Sequence, residues 1–176
     1  MTTVEESQVI AGAYIVKLKS FADDRGYFTE TFRKSWFPQR SWEIFQTNRS
    51  ESKQGVLRGL HFHHKQVDYW YVPKGMIRAA MVDLRSESLT YLATQTVDMG
   101  EQNQVGLFIP VGVAHGFAAL TDATMTYIVD NYYDSTDEFG LRWNDPEFNL
   151  DWGLQNPIIS ERDAANPFWQ ELKANI

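Results

Sequence analysis

"GVLRGLHFHHKQVDYWYVPKG", residues 55–75, carries three of the chain's four histidines in a stretch that otherwise reads as two β-strands. Side chains alternate between faces along a strand. His61 and His63 therefore share one side, and His64 points to the other if the strand continues. Working outward, short β-type runs recur between turn residues: Ala13–Lys19, an extended return after Asp-Arg-Gly in "ADDRGYF", Val56–Phe62, Tyr69–Val72, Met76–Leu84, Leu89–Val97, Val105–Ile109, Gly116–Leu120 and Thr124–Asn131. Gly75, Gly100, Pro110, Gly112 and Asp122 punctuate them. Many short strands at this spacing predict an all-β sandwich or barrel rather than alternating β and α units. Helix is sparse. Lys34–Trp36 is a candidate single turn, and Asn166–Ala174 a short C-terminal helix with Asn166 as N-cap and Pro167 at its first position. No repeat, linker or low-complexity segment appears, so residues 1–176 read as one domain.

Composition narrows the function. Of 176 residues, 43% are hydrophobic and 14% aromatic, a globular balance with room for a core. The net charge of −7 has no basic block to offset it, which argues against nucleic acid as a partner. A few placed arginines still suffice to hold a phosphate compound. With no cysteine, disulfides and thiol chemistry are excluded, and any metal would need His and carboxylate ligands. The opening MTTVEESQVI has no basic or apolar leader pattern, and no apolar run approaches the length of a membrane span. The expectation is a soluble cytoplasmic protein with no membrane partner.

The histidines admit several readings. A strand pair that sets His115, in "PVGVAHGF", beside His61 would make a small polar site inside a barrel. The spacing Gly55, His61, His63, Asp68, Gly75 resembles the first metal motif of the cupin superfamily, with Asp where that motif has Glu. Pro110, Gly112 and His115 resemble the second. This resemblance implies a four-ligand set of His61, His63, Asp68 and His115, suited to Zn, Fe, Mn or Ni. The plain structural alternative is that His63 and His64 decorate a solvent-facing rim.

Six stretches in order resemble the dTDP-4-dehydrorhamnose 3,5-epimerase family: "DDRGYFTETF" (23–32), "GVLRGLHF" (55–62), "VDLR" (82–85), "IPVGVAHGF" (109–117), "GLRWNDP" (140–146) and "PIISERD" (157–163). The resemblance implies a cupin-type jelly roll, or double-stranded β-helix barrel, with short peripheral helices. It implies epimerisation at C3 and/or C5 of a nucleotide-linked 4-keto-6-deoxy sugar, through an enolate and without a redox cofactor or metal. It places the general base at His61, the residue that orients it at Asp163, and the acid for the opposite face at Tyr127. Without the resemblance, Asp163 reads as a turn or N-cap residue and Tyr127 as a half-buried strand aromatic. Arg25 and Arg58 would grip the diphosphate. Glu30, Gln46, Asn48, Tyr133 and Glu138 would line the nucleotide or sugar site, with His115 near the ketone. The expected partner is a dTDP-linked sugar, and a homodimer is implied.

Two positions depart from the family pattern. His63 stands where a Gln or another small or polar residue is usual. Asp68 stands where the family has the lysine thought to stabilise negative charge on the C4 oxygen of the enolate. An aspartate there would repel that charge, and neither Lys65 nor Lys74 falls at the matching place. Three readings follow: an epimerase, the leading one; a metal-dependent cupin enzyme on the same scaffold; and a binding protein that keeps the pocket without the chemistry.

Overall fold

A computed structural model of the chain describes residues 1–174. In chain order its strands are β1 (Thr3–Glu6), β2 (Tyr14–Lys17), β3 (Ser20–Asp23), β4 (Gly26–Thr29), β5 (Gln46–Ser52) and β6 (Leu57–Phe62). After these come β7 (Asp68–Lys74), β8 (Met76–Asp83), β9 (Thr94–Gly100), β10 (Val105–Ile109), β11 (Val113–Ala119), β12 (Ala123–Val129) and β13 (Phe139–Gly140). One sheet runs β1-β2-β10-β7-β12-β5, the other β13-β6-β11-β8-β9, and β3-β4 is a separate hairpin. The strand pairings in all three sheets are antiparallel.

Alternation along the strands explains the layering. Trp70 and Val72 of β7, Ile77, Ala79 and Met81 of β8, Leu107 and Ile109 of β10, Phe117 of β11 and Met125 of β12 form one core between the two large sheets. The intervening residues point outward. Ala80, Val82, Ala114 and Ala118 meet Trp152 and Trp169 of the C-terminal segment, and Tyr69 and Phe108 meet Phe37 and Trp42 of the N-terminal part. Both large sheets are thus covered on both faces. Within β7 the same alternation turns Asp68 inward beside Trp70, and within β11 it turns His115 inward beside Phe117.

The strands match the expected runs with shifted ends. The main exception is the run Leu89–Val97, of which only the part from Thr94 is strand. Its first half belongs to a loop that Asp83 organises by accepting hydrogen bonds from Arg85, Ser88 and Thr90. β11 begins at Val113, three residues earlier than expected, so His115 lies within the strand. The polar strand β5 (QTNRSES) gave no hydrophobic signal, because it is a sheet edge. The expected helix Asn166–Ala174 shrinks to α2 (Trp169–Leu172) with Phe168 as its N-cap. Asn166 does not cap it: its side chain donates to Leu60 O, its carbonyl accepts from Arg142 Nε, and the Pro167 carbonyl accepts from Arg142 N. A second helix, α1 (Glu161–Ala164), had no helical signal in the sequence. Ser160 caps it by accepting from Asp163 N at 3.1 Å.

One close approach sets the geometry at the site. β6 and β11 pair His61 with His115, and the register shifts between His115 and Phe117. The shift is accommodated by Gly59 (φ 122°) against Gly116. A Cβ on Gly59 would lie 2.7 Å from Gly116 Cα and 2.9 Å from His115 O. Gly55 also has a positive φ, 87°, but a Cβ there would meet nothing within 4 Å. Gly59→Ala should therefore cost at least ~2 kcal/mol, backbone strain and overlap together, while Gly55→Ala costs ~1 kcal/mol from strain alone. Chemical denaturation of the two variants checks this; equal losses would contradict it.

Candidate active site

Between the two large sheets lies a cavity of about 310 Å³. The five-stranded sheet contributes Arg58, His61 and His115, the six-stranded sheet contributes Asp68, Trp70 and Tyr127, and Tyr133, Glu138 and Arg162 are further lining residues. His61 and Tyr127 thus stand on facing walls of one pocket. The structure unites seven of the sequence candidates around it: His61, Tyr127, Arg58, His115, Tyr133 and Glu138 in the lining, and Asp163 behind His61.

His61 Nε2 lies 2.8 Å from Asp163 Oδ1, and Asp163 Oδ2 accepts the Gly59 amide at 3.0 Å. The carboxylate is almost fully buried, whereas the imidazole is 26% exposed toward the cavity. Burial pushes the Asp163 carboxyl up. The hydrogen bonds from His61 and the Gly59 amide outweigh it and hold the group below the usual carboxylate range. An ionised acceptor requires the His61 proton on Nε2, leaving the Nδ1 lone pair as the free base atom. Asp163 is therefore a partner of His61, and the capping role falls to Ser160.

Across the cavity, burial raises the Tyr127 phenol, the Asp68 and Glu138 carboxylates add to the shift, and Arg58 opposes it. The hydroxyl stays protonated through the physiological range, as a proton donor must. Arg58 is held by Ser52 Oγ at 3.0 Å and by the Glu51 carbonyl. Arg162, which the sequence reading passed over in favour of its neighbour Asp163, ion-pairs with Glu138 at 3.0 Å. It adds a second guanidinium to the lining, and among the described residues no lysine lines the cavity. Lys65 is held outside by Asp134 at 3.0 Å.

Besides Asp163, four candidates lie outside the lining. Arg25 and Glu30 belong to the β3–β4 hairpin segment, paired with Asp23 and Arg33. Gln46 and Asn48 hydrogen-bond each other on β5, on the same strand face as Ser50, which does line the cavity. Gln46 Oε1 also accepts the Tyr133 amide.

The remaining histidines separate. His64 turns to the opposite side, against the Phe62 and Phe139 rings, as alternation predicts. His63 is not on a rim: it is buried, with Nδ1 2.7 Å from the Asp137 carbonyl. His115 is buried too, with Nδ1 2.9 Å from the Val113 carbonyl. Burial pulls its imidazole down to about 4; Asp68 opposes that shift and His63 adds to it. Of the four-ligand set, the structure brings His63, Asp68 and His115 together with donor atoms within 4.8 Å of one another. His61 stands apart from that group, committed to Asp163.

The architecture and the two-walled polar pocket define a β-sandwich enzyme of the cupin jelly-roll type. Residues 7–171 match the family model described as dTDP-4-dehydrorhamnose 3,5-epimerase. A curated relative from Methanothermobacter thermautotrophicus, a dTDP-4-dehydrorhamnose 3,5-epimerase, is 38% identical, covering 93% of this chain and 91% of its own. A Legionella pneumophila dTDP-6-deoxy-D-glucose-3,5-epimerase solved with dTDP-4-keto-L-rhamnose superposes with a TM-score of 0.90 at 30% identity, over 99% of this chain and 96% of the other. ChmJ from Streptomyces bikiniensis, a 3'-monoepimerase solved with dTDP-quinovose, gives 0.89 at 26% identity, over 97% and 89%. The chain belongs to the dTDP-4-dehydrorhamnose 3,5-epimerase family, isomerases of sugar nucleotides.

The hydrogen-bond geometry makes a direct prediction. Nitrogen-15 NMR should find His61 protonated on Nε2, and His63 and His115 on Nδ1. Asp163→Asn, which presents an NH₂ to His61 once its oxygen takes the Gly59 amide, should move the His61 proton to Nδ1. An unchanged His61 tautomer in that variant would contradict the assignment.

Proposed function

We propose that this chain epimerises a nucleotide-linked 4-keto-6-deoxy sugar, with dTDP as the nucleotide, at C3, C5 or both. The observation that carries the reading is the Asp163–His61 pair on one wall of a cavity whose other wall holds Tyr127. A C–H bond beside a ketone is acidic because the electron pair it leaves spreads onto the carbonyl oxygen as an enolate. His61 Nδ1 takes that proton, and the ionised Asp163 offsets the imidazolium charge that forms. The protonated Tyr127 phenol then returns a proton to the opposite face of the planar carbon, inverting it. No electrons leave the substrate, so no hydride carrier is required. Arg58 and Arg162 supply the charge to hold the diphosphate.

The substrate class rests on family membership and on the ligands named for the Legionella and Streptomyces proteins. We also place the protein in the cytoplasm, where nucleotide sugars are made, and read it as a homodimer. No helix among the described residues is long and apolar enough to cross a membrane. The β3–β4 hairpin leaves Phe21, Tyr27 and Phe28 exposed beside Arg25, a surface suited to a second copy of the chain that would carry Arg25 and Glu30 to the partner's cavity.

Incubation of the full chain with dTDP-4-keto-6-deoxyglucose, with proton NMR of the product, tests the proposal, and light scattering on the same sample gives the assembly. The expected outcome is inverted C3 and/or C5 from a two-chain particle, with turnover about 10²–10⁴-fold lower in Asp163→Asn. Unchanged substrate that nevertheless binds tightly would replace the enzyme reading with a binding protein.

A further inference from the structure

The buried carboxylate of Asp68 raises a question that proton transfer between His61 and Tyr127 does not answer. Among the described residues its oxygens accept only from neutral donors, Trp70 Nε1 at 3.0 Å and Gln66 Nε2 at 3.2 Å. Among the described residues no lysine or arginine pairs with it; its only ion-pair neighbour is His115 Nε2, at 3.8 Å. A buried carboxylate without a cationic partner is costly. The two imidazoles beside it are oriented in a specific way. A carbonyl oxygen only accepts, so Asp137 O fixes the proton of His63 on Nδ1, and Val113 O fixes that of His115 on Nδ1. Each Nε2 therefore carries a bare lone pair, and among the described residues neither makes a hydrogen bond. The three residues form one cluster, each offering a donor atom within 4.8 Å of the others, and His115 Nε2 lies 3.8 Å from Asp68 Oδ2.

We propose that His63, Asp68 and His115 form a binding site for one divalent first-row transition-metal ion in the floor of the substrate cavity. Two neutral imidazoles and one carboxylate suit zinc, iron(II), manganese, cobalt or nickel, and a three-ligand set leaves positions open toward the pocket. Backbone carbonyls on the outer imidazole nitrogens, with indole and amide donors on the carboxylate, are the supports that orient metal ligands and set the correct tautomer. Metal–ligand bonds of ~2.1 Å need donor atoms about 3–3.5 Å apart. Binding an ion would therefore require the three side chains to draw together from their 4.8 Å spread. His61 stands outside the set because its Nε2 is bound to Asp163.

Charge gives the site a role in the reaction, and this part rests on the epimerase reading. Two neutral imidazoles and a carboxylate sum to −1, so a divalent ion makes the cluster +1. That is the charge a lysine at position 68 would bring. The cavity would then present positive charge near the enolate oxygen, where bare Asp68 would repel it.

The test is titration of the chelator-treated full chain with Co²⁺ alone, followed by visible absorption and calorimetry, without substrate. One equivalent should bind with Kd below about 1 μM and develop d–d bands characteristic of nitrogen and oxygen ligation. Asp68→Asn and His63→Gln should weaken binding at least 100-fold, while His61→Ala leaves it intact. Asp68→Lys, which places an ammonium in the cluster, should bind no Co²⁺ yet support turnover insensitive to chelator. Circular dichroism identifies any variant that has not folded, and Asp68→Asn, close in shape, guards against that outcome. Wild-type binding no tighter than that of Asp68→Asn would overturn the site, as would loss of binding in His61→Ala. These results do not depend on turnover. A chain that binds Co²⁺ but inverts no sugar defeats the epimerase reading alone, and one that inverts sugar without binding Co²⁺ defeats the metal site alone.

Discussion

The close contact of Gly59 with Gly116 is the constraint on which the cavity depends. With no Cβ on either residue, β6 approaches β11 closely enough for His61 to pair with His115 across the strands, and the register shift next to that pair lets both imidazoles reach the interior. The same turn of backbone presents the Gly59 amide to Asp163 Oδ2, which leaves Oδ1 for His61. A side chain on either glycine would push the strands apart and disturb His61 and Asp163 together. The facing sheet contributes through simple alternation: Asp68, Trp70 and Tyr127 all turn inward, so His61 and Tyr127 stand on opposite walls without any special loop.

The electrostatics of the pocket are divided by depth and partner. Arg58 and Arg162 are its guanidinium groups, and Asp163 and Glu138 each have a fixed partner. Asp68 is the exception: buried, ionisable, and surrounded by neutral donors and two histidines. In an enzyme whose intermediate is an anion, such a residue makes sense only if its charge is offset when substrate is present. In the proposed metal site, the orientation of His63 and His115, set by two backbone carbonyls, would supply the means.

Much of this was legible in the sequence, for identifiable reasons. The strands of the core announced themselves because each face of β7, β8, β10 and β11 is buried and therefore apolar. Alternation alone placed His61 and His63 on one side and His64 on the other. The in-order motifs pointed to His61, Tyr127 and Asp163, and the structure sets all three at one cavity. β5 stayed hidden because an edge strand carries no apolar alternation. α1 stayed hidden because four residues have no periodicity, so the SERD segment looked like a turn when its helix is what aims Asp163. Asn166 and Pro167 looked like a helix start, but Arg142 holds both in a connecting segment. Arg162 had no signal apart from its adjacency to Asp163. The four-ligand metal pattern grouped His61 with His63, Asp68 and His115, whereas the structure clusters the last three and pairs His61 with Asp163, because spacing along a strand cannot show which nitrogen a distant residue engages.

The central claim is that removal and return of the proton occur from opposite walls, by His61 and Tyr127. The most direct measurement is deuterium wash-in from D₂O into dTDP-4-keto-6-deoxyglucose by Tyr127→Phe and His61→Ala, with configuration read by NMR. On this account Tyr127→Phe incorporates deuterium but largely returns it to the face it left, so configuration is retained, and His61→Ala incorporates almost none. Wild-type exchange by His61→Ala, or full inversion by Tyr127→Phe, would contradict it.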